Sequence, residues 1–311
     1  MDLFSEIPSI DFLDVGCRGV LDERWRDLAP FLTYTGFDAD PAECERLSNE
    51  SHPYQSQRYL PYAIGAEQRE MVLYRTRSPF CSSLLQPNQS WVDRLELGEL
   101  LEVLGTTTVA CTTLNALASE YNLKADIIKV DCQGLDIVIV QNGDSLLDTT
   151  FCIETEPAFV QNYFEESTFA DNERYLRSKG FMLFDMTLHT AARKNSLSRA
   201  GKHQPLWCEA LWLYDYVGQA KLPSRVQALK ALQISRSLQF FDYGFELAAF
   251  FGAHGVLKKH ESDVLTNSSF WTTGSSRQQR PRRTAKLIRL LPGAVQKRLR
   301  WALEEISRAA D

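Results

Sequence analysis

No stretch of this sequence suggests a membrane span. The most apolar late segment, Phe245 to Leu257, is interrupted by Glu246, Gly252, His254 and Gly255. Met1-Asp2-Leu3-Phe4-Ser5-Glu6 has neither the basic start nor the apolar run of a secretory leader, so a cytoplasmic location is expected. The seven cysteines, at 17, 44, 81, 111, 132, 152 and 208, contain no C-x-x-C pair. Such an odd, scattered set argues against a disulfide frame or a zinc site and for reduced thiols. Positive charge is short as well: 34 Lys and Arg face 40 Asp and Glu, a net charge of −6 that argues against a nucleic-acid partner. No internal repeat is evident. What remains, 44% hydrophobic and 24% charged over 311 residues, is an ordinary globular composition.

The pattern along the chain alternates strands and helices. Apolar runs that end at glycine or an acid predict strands at Ser9–Val15, Tyr34–Asp38, Arg58–Ile64, Asp126–Val130 and Phe151–Thr155. A further strand is expected over Glu70–Arg75. Helices are expected over Leu21–Leu32, from Pro41, over Thr113–Tyr121, Leu135–Leu147 and Asp171–Lys179. Asp40 caps the helix at Pro41, and Glu43 is placed to bond back to the cap. Ser78–Asn88 is turn-rich and reads as a loop. Phe181–Met186 and Leu206–Tyr216 are the last strands, with no room for a crossover helix between them. This order predicts an α/β fold with a mainly parallel, seven-stranded sheet and an antiparallel last strand.

After Val217 only helices are expected, over Pro223–Leu238 and Phe241–Phe251. The expected division is a catalytic domain over 1–216 and a helical, basic extension over 217–311, with a flexible segment near 272–283. Nine Lys or Arg and no acid lie between Arg277 and Arg300, so the rest of the chain carries −15. The Lys286–Leu299 segment suits an anionic membrane surface or a protein partner.

"FLDVGCRGVLDERW", residues 12–25, places Asp14-x-Gly16-x-x-Gly19 at the end of the first strand. In a parallel sheet, ligands bind at such ends. Asp38 ends the second strand, where an acid accepts both ribose hydroxyls of a nucleoside. A dinucleotide site asks for G-x-G-x-x-G, and here Asp14 replaces the first glycine. A carboxylate there repels a pyrophosphate and suits the cationic amino-acid end of S-adenosylmethionine. The charge at this residue therefore favours a methyl donor over NAD.

In order, "DVGCRG", "GFDADPAECERL", "YAIG", "CSSLLQPN", "TTLNAL", "DIIKVDCQGLDIVIVQNG", "IETEPAF" and "RSKGFMLFDM" resemble the FkbM family of S-adenosylmethionine-dependent methyltransferases. The block from Lys129 to Asp136 carries most of the likeness, and "QPLWCEALWLY" is similar to the family's closing segment. The resemblance covers residues 9 to 216 and implies a Rossmann-like methyltransferase fold. Its implied activity is O-methylation of a hydroxyl on a sugar, glycan or secondary metabolite. Implied donor-site residues are Asp14, Gly16, Cys17, Arg18, Gly19, Asp38, Ala63, Ile64, Ser82 and Asp131. Four positions depart from the family pattern. Cys17 and Arg18 stand where Ala and Asn are usual, Asp38 where Glu is usual, and Glu209 where Asp is usual. Cys17 and Arg18 keep a second reading open, a non-catalytic nucleoside-binding or regulatory module on the same fold.

Methyl transfer from a sulfonium is an in-line displacement, and the acceptor hydroxyl must lose a proton. Asp131, at the end of "DIIKVD", is the first candidate base; its plainer role is a helix cap. Glu154 and Glu156 bracket Thr155 and are expected on one face of the strand end, which makes Glu154 the second candidate. His203, in the loop before the last strand, is the third. Asp131 with Glu154 or Glu156 offers oxygens of the kind Mg²⁺ takes, but a metal is not favoured. Ser82 and Ser83 are expected to line the site from their loop. Phe80, Tyr163, Trp207 and Trp212 are candidates for an apolar, stacking wall.

Overall fold

The computed structural model describes residue 4 and residues 7–19 and 21–272. Seven strands form the main sheet: β1 (Ile10–Val15), β2 (Leu32–Phe37), β3 (Ser56–Leu60), β7 (Ile127–Val130), β8 (Cys152–Thr155), β9 (Phe181–Ala191) and β10 (Gln204–Tyr214). Their spatial order is β3-β2-β1-β7-β8-β10-β9. β1, β2, β3, β7 and β8 pair in parallel; β10 is antiparallel to both β8 and β9. The expected α/β architecture with an antiparallel last strand is the one observed. β10 lies inside the sheet and leaves β9 at the edge. β1, β7 and β8 are buried almost throughout, as their near-continuous apolar sequences require of strands covered on both faces.

The chain runs outward from β1 to β3, then returns to β7 on the other side of β1. The strand order therefore reverses between β1 and β7, and their carboxyl ends open a crevice there. A second sheet of three strands, β4 (Ala63–Ile64), β5 (Arg69–Thr76) and β6 (Val103–Thr112), is ordered β4-β6-β5. The helices are α1 (Pro41–Asn49), α2 (Gln89–Val92), α3 (Leu114–Tyr121), α4 (Asp136–Gln141), α5 (Phe169–Ser178), α6 (Arg225–Ser237), α7 (Phe241–Ala253), α8 (Lys259–Leu265) and α9 (Ser268–Thr272).

Several expectations change. Leu21–Leu32 forms two 3₁₀ turns, at Glu23–Trp25 and Ala29–Phe31, instead of one α-helix. Asp22 accepts the Arg24 N–H and starts the first turn, and Pro30 disfavours the α conformation at Ala29. Trp25, Leu28 and Leu32 are nevertheless all buried, as their spacing suggested. The strand expected over Arg58–Ile64 breaks at Pro61, and its second half joins the small sheet. The helix expected over Leu135–Leu147 stops at Gln141, and a 3₁₀ turn at Asp144–Leu146 follows Gly143.

The end of the strands near Tyr216 is not the end of the packed core. Ala228, Leu229, Leu232, Leu247 and Phe251 belong to the same buried cluster as β1, β7 and β8. Lys230 of α6 places Nζ 2.5 Å from Asp126 and 3.4 Å from Asp11, at the amino ends of β7 and β1. The basic Lys286–Leu299 segment, and 272–283 beyond its first residue, lie outside the described residues. All seven cysteines are free thiols, and five of them are buried.

Candidate active site

The turn after β1 is shaped by what it packs against. Gly16 has φ +84°, and a Cβ there would lie 2.2 Å from the carbonyl oxygen of Asp131. The glycine is required because the turns after β1 and β7 touch. The Gly16 and Cys17 N–H groups both donate to the Phe37 carbonyl, at 2.8 and 3.1 Å. Gly19 has φ +89°, and its N–H donates to Glu43 Oε1 at 3.2 Å. Arg46 holds Glu43 at 2.7–2.8 Å. Glu43 thus ties α1 to the glycine turn, instead of bonding back to the Asp40 cap. Asp40 does cap α1, accepting the Ala42 N–H at 3.0 Å.

Cys17 is buried beneath the turn. A Cβ at Gly36 would come 2.7 Å from its sulfur, and burial pushes its thiol far above the ordinary range. Cys17 therefore offers the crevice its backbone and not its side chain.

Asp14 also differs from expectation. It is buried, with Oδ1 accepting from Lys129 Nζ at 2.8 Å and Oδ2 from the Tyr34 hydroxyl at 2.7 Å. Strand register causes this: Asp14 pairs with Lys129, which pairs with Glu154, so all three face the same side of the sheet. Burial alone would depress the Lys129 ammonium; Asp14, Asp131 and Glu154 outweigh it and hold it well above its ordinary value. Both Asp14 oxygens are engaged within the protein, so Asp14 supports the site from below and does not meet the amino-acid end of a donor.

Glu154 is likewise withdrawn. Its Oε2 accepts the Trp25 indole N–H at 2.8 Å, and burial pushes its carboxyl up to about 7. Arg24 lies 3.9 Å from Glu154 and 3.3 Å from Glu209. Glu209 in turn meets His189 at 3.2 Å, and the His189 ring stacks on Trp207 at 4.8 Å. Arg24 and His189 were not anticipated, because strand pairing between distant segments brings them together and no local spacing signals it. Glu156 lies past the end of β8 and does not share the buried position of Glu154.

At the end of β2, Asp38 Oδ1 accepts the Asp40 N–H at 2.8 Å. Arg18 reaches Asp38 at 3.4 Å and Asp40 at 2.8 Å. Burial raises the Asp38 carboxyl, and Arg18 opposes that rise. Arg18 therefore faces the carboxylates that follow the end of β2. Ala63 and Ile64, just past the end of β3, are buried in β4.

Asp131 stands at the mouth. Its N–H donates to Val15 at 2.9 Å, and its Oδ1 accepts from Gln133 Nε2 at 2.5 Å. Gln133, with φ +50°, also accepts from the Tyr163 hydroxyl at 3.1 Å and reaches Glu156 at 3.4 Å. Asp131 is not the cap of α4. Asp136 does the local stitching instead, accepting the Cys132 N–H at 2.9 Å and the Glu156 N–H at 2.7 Å. Burial, then Asp131, pushes its carboxyl up to about 7.

Ser83 donates to the Gln133 carbonyl at 2.8 Å and so ties its loop to this turn. Ser82 accepts the Thr76 N–H at 3.2 Å, which makes it part of its own loop's frame and not of the site. His203 is excluded as well. It is exposed, and its ring lies 2.7 Å from the Ser198 carbonyl. It sits seven residues before Ala210, the partner of Thr155 at the end of β8, which is a distance of about 24 Å along an extended strand.

Beside Asp131 lies a cavity of about 300 Å³, whose walls include Phe80, Leu101, Gln133, Glu156, Tyr163 and Trp207. Trp212 is core, with its indole N–H on Thr155 at 3.2 Å. Among the described residues no group of three His, Cys, Asp or Glu could hold a metal ion. No helix among them is long and apolar enough to cross a membrane.

Residues 29–183 match the model of the methyltransferase FkbM domain. The chain belongs to the FkbM methyltransferase family. No curated protein matches it in sequence. Among solved structures it is similar to magnesium protoporphyrin IX methyltransferase from Synechocystis PCC 6803 with bound SAM. That similarity has 11% identity and a TM-score of 0.34, covering 68% of this chain and 73% of the other. A SAM-dependent methyltransferase from Anabaena variabilis ATCC 29413 aligns at 12% identity and a TM-score of 0.31, covering 67% and 78%. Within the FkbM block, Lys129 neutralises Asp14, Asp131 faces the mouth, Gln133 bridges to the cavity wall, and Asp136 ties two loops.

Proposed function

We propose that this FkbM methyltransferase binds S-adenosylmethionine in the crevice between β1 and β7 and methylates a hydroxyl of a small-molecule or glycan acceptor in the adjoining cavity. The donor set suits that cofactor: Asp38 for the ribose hydroxyls, the glycine turn for close backbone approach, and Asp131 and Glu156 for a cationic molecule. When bound, S-adenosylmethionine supplies a methyl group carried on a sulfonium. Phe80 and Trp207 orient the acceptor against the cavity wall, and alignment of this kind accounts for about 7–11 kcal/mol of a barrier when it is complete. Asp131 takes the proton from the acceptor hydroxyl, with Gln133 fixing its carboxylate. Lys129 and Asp14, paired beneath, keep the floor of the crevice near neutral.

The observation that carries this reading is the position of Asp131. It lies against the Gly16 turn on one side and, through Gln133, against the cavity on the other. Asp131→Asn keeps the shape and removes the basicity. It should still bind S-adenosylhomocysteine in calorimetry, losing much less in affinity than in turnover, which should fall about 10²–10⁴-fold with any acceptor the wild type methylates. A wild-type rate would remove Asp131 from the proton transfer.

Arg18, held on Asp38 and Asp40, favours a second reading, a nucleoside-binding module without turnover. S-adenosylhomocysteine binding with no methyl transfer to any hydroxylated acceptor would support it, and NAD binding in place of S-adenosylhomocysteine would reject the methyl-donor reading.

A further inference from the structure

Two buried polar side chains in the cavity wall each have one polar atom bonded within the protein and one with no protein partner. Glu166 is 5% exposed, and its Oε2 accepts the N–H groups of both Asn162 and Tyr163. Its other oxygen makes no hydrogen bond with the protein. Asn162 is 8% exposed, and its Oδ1 accepts the Trp91 indole N–H at 3.2 Å. That bond fixes which end of the amide is oxygen, because an indole N–H only donates. The Asn162 NH₂ is then the end with no protein acceptor. Both residues line the same cavity as Trp207 and Phe80. Buried polar groups are normally satisfied, so a carboxyl oxygen and an amide NH₂ left over in one cavity point to a ligand that completes them.

We infer that Asn162 and Glu166 form a recognition subsite for a second, non-reacting hydroxyl of the acceptor, and that the acceptor is an uncharged polyhydroxylated ring. The inference rests on the methyltransferase reading above only in calling that ligand the acceptor. A hydroxyl donates to the Glu166 oxygen and accepts from the Asn162 amide at once. Burial pushes the Glu166 carboxyl up to about 8, close to working pH. A hydroxyl fits the ionised form best, donating to the carboxylate and accepting from the Asn162 amide, whereas a second donor at Glu166 costs it the bond to a charged group. An ammonium leaves the Asn162 NH₂ without an acceptor, and a carboxylate is opposed by the ionised acid. Anionic rings face a further penalty, because Glu156 lines the same cavity. The aromatic faces of Phe80 and Trp207 suit the C–H face of such a ring.

The test uses the full chain at pH 8.5, above the raised Glu166 value of about 8, and ligand-observed NMR titrations. The probes are methyl glucoside, methyl galactoside, methyl mannoside, glucuronate, glucose 6-phosphate and cyclohexanol. At least one neutral glycoside should bind, and it should bind tighter than both anionic sugars and cyclohexanol. Glu166→Gln keeps an acceptor for the two backbone N–H groups and turns an amide donor to the cavity. It should weaken the preferred glycoside about tenfold or more, the scale of a lost bond to a charged group. Asn162→Asp keeps the acceptor for Trp91 and removes the donor, with the same expected loss. Thermal melts of both variants establish that they are folded. Binding of no neutral glycoside, equal binding of an anionic sugar, or unchanged affinity in both folded variants overturns the proposal. S-adenosylhomocysteine is titrated separately and the probes are run with and without it, so failure of the donor reading is seen independently.

Discussion

Replacing Lys230 by Met tests whether the C-terminal helices belong to the core. Lys230 is 7% exposed and Asp126 is 6% exposed, so the pair is cut off from water. Without Lys230, the Asp126 carboxylate keeps the Asp11 N–H at 2.8 Å as its remaining donor. Removing one partner of a buried ion pair costs about 3–5 kcal/mol, because the other charge stays buried without compensation. Methionine retains the apolar stem, so little of this loss comes from packing. For a chain of this size each kcal/mol lowers the melting temperature by about 2–4 °C, giving a drop on the order of 6–20 °C.

The loss should also depend on pH. Burial raises the Asp126 carboxyl above its ordinary value even with Lys230 present. In the variant Asp126 folds best protonated. The deficit is therefore largest at neutral pH and shrinks as pH falls toward the unfolded value. Urea unfolding followed by tryptophan fluorescence at pH 5 and pH 7 measures both effects, and Asp126→Asn in the same background should recover most of the loss. A deficit below about 1 kcal/mol at pH 7, the size of an exposed pair, would refute the reasoning. Residues after Tyr216 would then be an appendage.

Asp38→Ala should weaken S-adenosylhomocysteine by about 1.5–3 kcal/mol in calorimetry, since a charged acceptor of two hydroxyls is lost; unchanged affinity removes Asp38 from the ribose. Gly16→Ala should abolish donor binding or folding, because the new methyl falls on the Asp131 carbonyl; a soluble variant with wild-type donor affinity would contradict the close approach. Glu154 is held near 7 by burial, so its contribution to stability is largest below its unfolded value and falls as pH rises toward 7. The stability of Glu154→Gln relative to wild type should accordingly improve between pH 5 and pH 8 in urea melts, and a constant difference would show that Glu154 titrates normally.

The crevice at the strand ends was legible in the sequence, and the adjoining cavity was legible only in part. Asp14, Gly16, Asp38 and Asp131 sit at strand ends, and each end is announced by a short apolar run that stops at glycine or an acid. Those runs place the residues in the crevice but do not say which way each side chain is satisfied. Asp14 was read as facing a ligand because its partner, Lys129, lies 115 residues away in sequence and meets it only through the register of β1 with β7. Glu154 was misread for a related reason: Trp25 and Arg24 come from a segment expected to be helical. β6 went unnoticed because "VLGTTTVACT" is rich in threonine and lacks a continuous apolar run. Phe80, Tyr163 and Trp207 were visible as candidates. Asn162 and Glu166 were not, since nothing local marks which polar atoms the fold leaves over.

The two halves also differ in how the fold holds them. The glycine turn and Asp131 are locked by contacts between neighbouring parallel strands: Asp131 N–H to Val15, Gly16 against the Asp131 carbonyl, and Lys129 to Asp14. A one-residue slip of β7 would turn Lys129 to the other face and leave Asp14 buried without its cation, so the register is strongly specified. Asp131 is thereby fixed by the same contacts that fix the glycine turn. The cavity instead draws its walls from the loop around Phe80, the segment from Asn162 to Glu166, and the overhanging β9–β10 hairpin at Trp207. Gln133 joins the two, bonded to Asp131 on one side and Tyr163 on the other. Changes in the loops can therefore reshape the cavity without disturbing the glycine turn, provided Gln133 keeps both bonds.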